Sequence, residues 1–372
     1  MKERINRNSN YELMRIISMF LIVLYHVIHH GKVLENCQNE GLRIIVEFIK
    51  FFTIIHVKSY ILITGYYQSQ SKFKQSKIWS IINASLFYRI TIMIILSLIG
   101  EITLDKLSIV RDFFPLDTVH YWFIKCYLFL YCLSPFLNKL VENITKKEFQ
   151  KLQIVLFILL SIIPSLTGGL AFVNDGYTVY TMVHLYLIGA YLRKYPLKES
   201  YIFKPCSKNL FQLIMIFVFF ITLIINYVLY KYSFTLTNIN NLFTEIANNV
   251  QYASLKYSNP IIIIQSIAYF TFFGTLNIQS KFINKLSALT LEVYLIHENI
   301  YIRKPLYAFL KINNGPIYSY KYLIYMIMIS ILIYIACSLI GFIRQKVFKL
   351  IYNRKISQKV REIYYNYIKN FA

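Results

Sequence analysis

Two residues in the first apolar run can do chemistry together. In YELMRIISMFLIVLYHVIHHG (11–31), Arg15 is followed eleven positions later by His26. At ~100° per residue that interval is three turns plus ~20°, so on a helix both side chains share one face. At a rise of ~1.5 Å they stand about 16 Å apart along the axis. A guanidinium can hold a phosphate or a long polar chain. An imidazole further along can act as a general base or briefly carry an acyl group. Each residue also has a plainer use. An arginine one turn into a membrane span can snorkel to the inner headgroups, and a lone histidine can be a hydrogen-bonded member of a helix bundle. His29 and His30 follow one turn on and read as interfacial, with either able to line the same vestibule.

The rest of the chain must position this pair. Its 372 residues are 57% hydrophobic and only 15% charged. Soluble domains carry about a quarter charged residues, so this composition excludes a soluble globule and a disordered or collagen-like chain. What remains is an all-α polytopic membrane bundle. Spans need about 20 mostly apolar residues. Ten candidates meet this loosely, at about 11–30, 44–66, 78–100, 120–137, 152–171, 177–192, 210–230, 259–276, 286–302 and 319–342. The first reads as a retained span, since no small-residue cleavage site follows it. With the N-terminus in the cytoplasm, 25 of the 40 Lys and Arg fall on the cytoplasmic side, 10 outside, and 5 in or near spans. The positive-inside rule therefore favours about ten transmembrane helices with both termini cytoplasmic. The net charge of +23 is then spent on topology, and no nucleic-acid partner is expected. Residues 1–342 read as one transmembrane domain. Residues 343–372 read as a basic cytoplasmic tail whose apolar residues have the spacing of a helix lying on the inner leaflet.

Ionisable groups inside spans mark functional sites by default. Besides Arg15 and His26 they include Glu12, His56, Lys58, Arg89, His184, Glu292, His297 and Glu298. Glu12 precedes Arg15 by three residues and can pair with it. His120 opens the fourth candidate span beside Trp122, either as part of an aromatic belt or as a functional residue. The five cysteines are scattered and read as small apolar residues. There is no H-E-x-x-H, P-loop, G-x-G-x-x-G or G-x-S-x-G, and no metal site is expected.

Several segments resemble those of the acyltransferase 3 family, multi-pass bacterial membrane enzymes that move acyl groups onto sugars of surface glycans. Arg15 to His26 matches the family's basic residue, ten residues, then His. ILITGYYQ (61–68) resembles its Phe-x-x-Ser-Gly-Tyr segment, with Thr64 for Ser. HYWFIKCYLFLYCLSPFLNKL (120–140) is similar to its Trp-Phe-led span ending in Leu-Ser-Pro-x-Leu-Asn. YTMVHLYLIGAYLRKY (180–195) and LTLEVYLIHENIYIR (289–303) resemble its Tyr-x-Ile-Gly-x-Tyr and Thr-x-x-x-Tyr-Leu-Ile-His segments. These five matches run in order over most of the chain. The usual Arg-x-x-Arg of the third span is replaced by Lys74 and Lys77, which keep the charge and lose the bidentate fork.

The resemblance implies an O-acyltransferase in the bacterial cytoplasmic membrane, using acyl-CoA, above all acetyl-CoA, and no metal. The donor's phosphates would meet Arg15 and Lys77, with Lys74 and Arg89 as further donor-side contacts, and its thioester would point toward His26. His120 and Trp122 would lie on the acceptor side, where a glycan or lipid-linked sugar is modified; membrane lipids are the other partners. Two other classes fit the architecture: a transporter or flippase, and a glycan polymerase. The first is expected to show repeats or broken helices, of which scarce Gly and Pro promise few. The second is expected to have large charged outer loops.

Overall fold

A computed structural model describes residues 8–103, 106, 109, 110, 113, 121–170, 173–233, 241–312 and 315–352. The described chain is helical, apart from an isolated bridge between Cys37 and Ile317. Six of its helices are long and apolar enough to cross a membrane. They are α1 (Ser9–His30), α4 (Gln75–Leu98), α5 (Trp122–Asn143), α6 (Lys146–Leu166), α8 (Lys208–Tyr232) and α14, which has Lys321–Ile351 as its apolar stretch. The chain is thus a multi-pass membrane protein by the length and apolarity of its helices. The outer surface agrees. On α8, Leu213, Phe217, Phe220 and Ile224 are exposed, and on α14 Ile324, Met328, Leu332, Ile335 and Leu339 are. Apolar stripes of that extent at helical spacing suit hydrocarbon and not water.

The other four apolar runs are short or broken. The second divides into α2 (Glu40–Thr53) and α3 (His56–Gln68), interrupted at Ile54 and Ile55. The sixth and eighth give α7 (Val179–Lys194) and α10 (Pro260–Gly274), of 16 and 15 residues. Between α8 and α10 lies α9 (Asn241–Ala253). The ninth run follows α11 (Lys281–Ser287) and holds α12 (Thr290–His297) and the start of α13 (Ile300–Phe309), parted at Glu298 and Asn299. The expectation of few broken helices is therefore corrected. At Glu298–Asn299 an asparagine marks the break in place of Gly or Pro, and asparagines also cap two other helix starts. The side chains of Asn39, Asn259 and Asn299 accept backbone N–H groups at the starts of α2, α10 and α13, which satisfies donors a helix start leaves orphaned.

Helix α1 is the axis of the bundle. Its side chains enter two apolar cores, with Ile22, Val23 and Val27 in one and Tyr11, Met14 and Leu21 in the other. An apolar helix covered on both sides in this way is a central helix. Around it α3 packs on α7 so closely that their backbones nearly touch. A Cβ on Gly65 would collide with the Tyr186 carbonyl, and one on Gly189 with the Leu62 carbonyl. Small residues at such crossings let apolar helices approach without a polar contact. Gly189→Val is therefore expected to destabilise the protein by about 1–3 kcal/mol or more, read as a lower melting temperature in detergent. An unchanged melting temperature would contradict the crossing.

The tail expectation is only partly reachable. Residues up to Tyr352 continue α14 (Lys321–Tyr352) as one helix, and 353–372 lie outside the described residues. All five cysteines are free.

Candidate active site

A cavity of about 440 Å³ runs beside α1, within the range of small-molecule sites. Arg15, Met19, Ile22 and His26 of α1 line it, and because α1 is unbroken the ~16 Å spacing holds. The opposite walls come from α3 (His56, Tyr60, Thr64), α4 (Lys77, Ile81), α5 (Trp122, Phe123, Tyr127), Tyr257, the α11–α12 segment (Ser287, Thr290, Tyr294) and Glu298.

At one end Arg15 Nη1 lies 2.9 Å from Glu12 Oε1, the i,i+3 pair expected from the spacing. Glu12 Oε2 also accepts a hydrogen bond from the Ser287 hydroxyl at 2.5 Å, and the Tyr60 hydroxyl donates to the Arg15 carbonyl at 2.7 Å. This arrangement holds the guanidinium while leaving it part-exposed. Lys77 stands in the first turn of α4, its Nζ 4.5 Å above the ring of Tyr131 and 5.6 Å above that of Tyr127. Helix N-termini carry partial positive charge, so this end of the cavity is cationic.

The other end is built on the break between α12 and α13. His26 Nδ1 lies 3.0 Å from His297 Nε2 and 3.0 Å from Glu298 Oε2. His30 Nε2 is 3.4 Å from the same carboxylate oxygen. Arg303 takes Glu298 Oε1 at 2.9 Å, which leaves Oε2 facing the histidines. Tautomers follow from the partners. His297 Nδ1 is 2.5 Å from the Val293 carbonyl, which can only accept, so Nδ1 carries the proton and Nε2 a lone pair. His26 Nδ1 then faces only acceptors and must itself carry the proton. Its Nε2 is left unprotonated, the form a general base needs.

The break itself is stabilised from α5. Tyr121, just before that helix, donates its hydroxyl to the Leu295 carbonyl at 2.6 Å and accepts from Asn299 Nδ2 at 3.0 Å. Non-helical backbone at membrane depth persists when protein groups satisfy it in this way. Beside His26 stands an aromatic wall. Tyr257 lies 5.6 Å from Trp122 and 4.7 Å from Tyr177, centroid to centroid. The Tyr257 hydroxyl is 3.0 Å from His56 Nε2. Since His56 Nδ1 faces the Thr53 carbonyl at 2.5 Å and donates to it, Tyr257 is the donor to Nε2.

A family model described as an acyltransferase domain matches residues 8–342. The chain belongs to the acyltransferase 3 family. Membership makes the protein an acyltransferase by class, and the match spans every element that lines the cavity. No curated protein and no solved structure matches the chain.

Among the residues singled out in the sequence, Arg15, His26, Lys77 and Trp122 line one cavity of this acyltransferase domain. Lys74 and Arg89 are not among its lining residues. Lys74 is exposed just before α4, where its N–H donates to the Tyr131 hydroxyl at 3.0 Å, and Arg89 is buried further along that helix, 1% exposed. His120 lies outside the described residues. The fold adds His297, Glu298 and His30 around His26, and Tyr257 on the wall. The first two were legible only as ionisable residues within an apolar run, adjacent in the Tyr-Leu-Ile-His-Glu segment. Among the described residues, His26, His297 and Glu298 also form a group whose metal-capable atoms lie within 4.8 Å of one another, which no spacing in the sequence suggests.

Proposed function

We propose that this acyltransferase moves an acyl group, acetyl above all, from acyl-CoA to a sugar hydroxyl of a surface polysaccharide or its lipid-linked precursor. The observation that carries the reading is one cavity with a cationic end at Arg15 and Lys77 and an unprotonated imidazole nitrogen at His26. The donor's phosphates meet Arg15, Lys77 and the start of α4, where guanidinium, ammonium and helix dipole all favour an anion. The ~16 Å between Arg15 and His26 is of the order of an extended pantetheine arm. His26 Nε2 takes the proton of the sugar hydroxyl. The oxygen attacks the thioester carbonyl, the C–S bond breaks, and the CoA sulfur leaves with the proton returned by His26. Glu298, 3.0 Å from Nδ1, stabilises the imidazolium formed in between.

The acceptor ring lies against Trp122 and Tyr257, flat aromatic surfaces that suit the apolar face of a sugar. In a bacterial cytoplasmic membrane, the six long helices and the four shorter or broken runs make about ten crossings with both termini in the cytoplasm, as the 25 to 10 charge bias asks. The donor then enters from the cytoplasm, and His26 lies toward the outer face.

The test is turnover by the purified protein. Acetyl-CoA with a lipid-linked sugar is expected to give CoA and O-acetyl sugar. Label from acetyl-CoA that stays on the protein before the acceptor is added would make His26 a carrier instead of a base. A transporter or flippase is the second reading, favoured by the helix breaks at Ile54–Ile55 and Glu298–Asn299 beside the cavity. Movement of the glycan precursor without acetyl-CoA turnover would support it.

A further inference from the structure

The group around His26 Nδ1 has more lone pairs than protons. The neutral His297 ring presents a lone pair at Nε2, 3.0 Å away, and Glu298 presents Oε2, also 3.0 Å away. One N–H on His26 faces both. Glu298 Oε2 and His30 Nε2, 3.4 Å apart, are buried and lack a well-formed hydrogen bond among the described residues. Arg303 occupies the other carboxylate oxygen and so fixes Oε2 toward the histidines. The Val293 carbonyl fixes the His297 ring from behind, as a carbonyl does for a metal-ligating imidazole. Two imidazole nitrogens and one carboxylate oxygen are a donor set that suits zinc. Bonds of ~2.0–2.1 Å place tetrahedral ligand atoms about 3.3 Å apart. The two spacings of 3.0 Å from His26 widen slightly to accept an ion, and the third, between His297 and Glu298, which lies within 4.8 Å, draws in.

We propose that His26, His297 and Glu298 form an inhibitory site for a zinc-class divalent cation. The ion bonds His26 Nδ1, His297 Nε2 and Glu298 Oε2, with the fourth position open to water or His30. It takes the place of the proton on Nδ1, and that proton moves to Nε2. The ring stays neutral, but Nε2, the nitrogen the proposed reaction uses, becomes a donor and can no longer accept the hydroxyl proton. The inhibition rests on His26 acting as the base; the binding does not.

Titrating the metal-free, full-length protein in detergent with Co²⁺, followed by displacement with Zn²⁺, reads the site by its visible absorption, independently of turnover. About one equivalent is expected to bind with the spectrum of a tetrahedral N/O site. Binding is expected to fall at least tenfold in His297→Ala and in the near-isosteric Glu298→Gln, each first shown to elute as a single folded species. In wild type, micromolar Zn²⁺ is expected to stop acetyl transfer, with EDTA restoring it. Absence of stoichiometric binding, or binding that both variants retain, overturns the proposal while leaving the base reading intact. Binding at this site with transfer undiminished overturns the inhibition and counts against His26 as the base.

Discussion

Glu298→Gln is expected to lower turnover by about 10²–10⁴-fold with little change in donor KM. The loss has two sources. The carboxylate 3.0 Å from His26 Nδ1 no longer stabilises the imidazolium formed when the sugar hydroxyl gives up its proton. An amide also offers an N–H to Nδ1, which favours the tautomer carrying its proton on Nε2, and a comparable acid-to-amide change behind a catalytic histidine costs about 10⁴ in kcat. Because the interaction strengthens only as charge develops, the deficit belongs in kcat. Steady-state kinetics on purified protein checks it. A variant that loses donor affinity and keeps kcat would show that Glu298 shapes the cavity without serving His26.

Arg15→Ala is expected to do the opposite, raising donor KM by about 10–100-fold, since a hydrogen bond to a charged group is worth about 1.5–3 kcal/mol. Removing Arg15 also leaves the buried Glu12 carboxylate with Ser287 as its remaining hydrogen-bond partner among the described residues. Arg15→Lys separates the two effects. It keeps a cation beside Glu12 while losing the fork, so its fold is expected to be retained and its donor KM to stay raised. A loss confined to kcat with normal donor KM would contradict a phosphate contact at Arg15.

How far the site was legible in the sequence depends on which element carries each residue. Arg15 and His26 share one unbroken helix, so local periodicity alone places them on one face, and the cavity that both line follows that face. Lys77 and Trp122 were reachable because each begins or nearly begins a long apolar run. Glu298 was not. Its apolar run reads as one span, whereas Asn299 starts a new helix and leaves Glu298 in the gap. The contact to His26 joins residues 271 or more positions apart, and no spacing reports that. The same holds for His56 and Tyr257, which meet across 201 positions. Arg89, named on the donor side by the resemblance, is buried on α4 and is not among the residues lining the cavity. The break at Glu298–Asn299 was hidden because an asparagine starts the next helix without the Gly or Pro that usually marks such places, and the break at Ile54–Ile55 falls on apolar residues alone.

The most direct test is the proton NMR spectrum of the surface glycan from cells carrying the wild-type protein and from cells carrying His26→Ala at equal abundance in the membrane. His26 Nε2 is the only base the proposed reaction uses, so the O-acetyl methyl signal present in the wild type is expected to vanish from the variant, with the sugar backbone unchanged. A methyl signal of full intensity from His26→Ala would contradict the account.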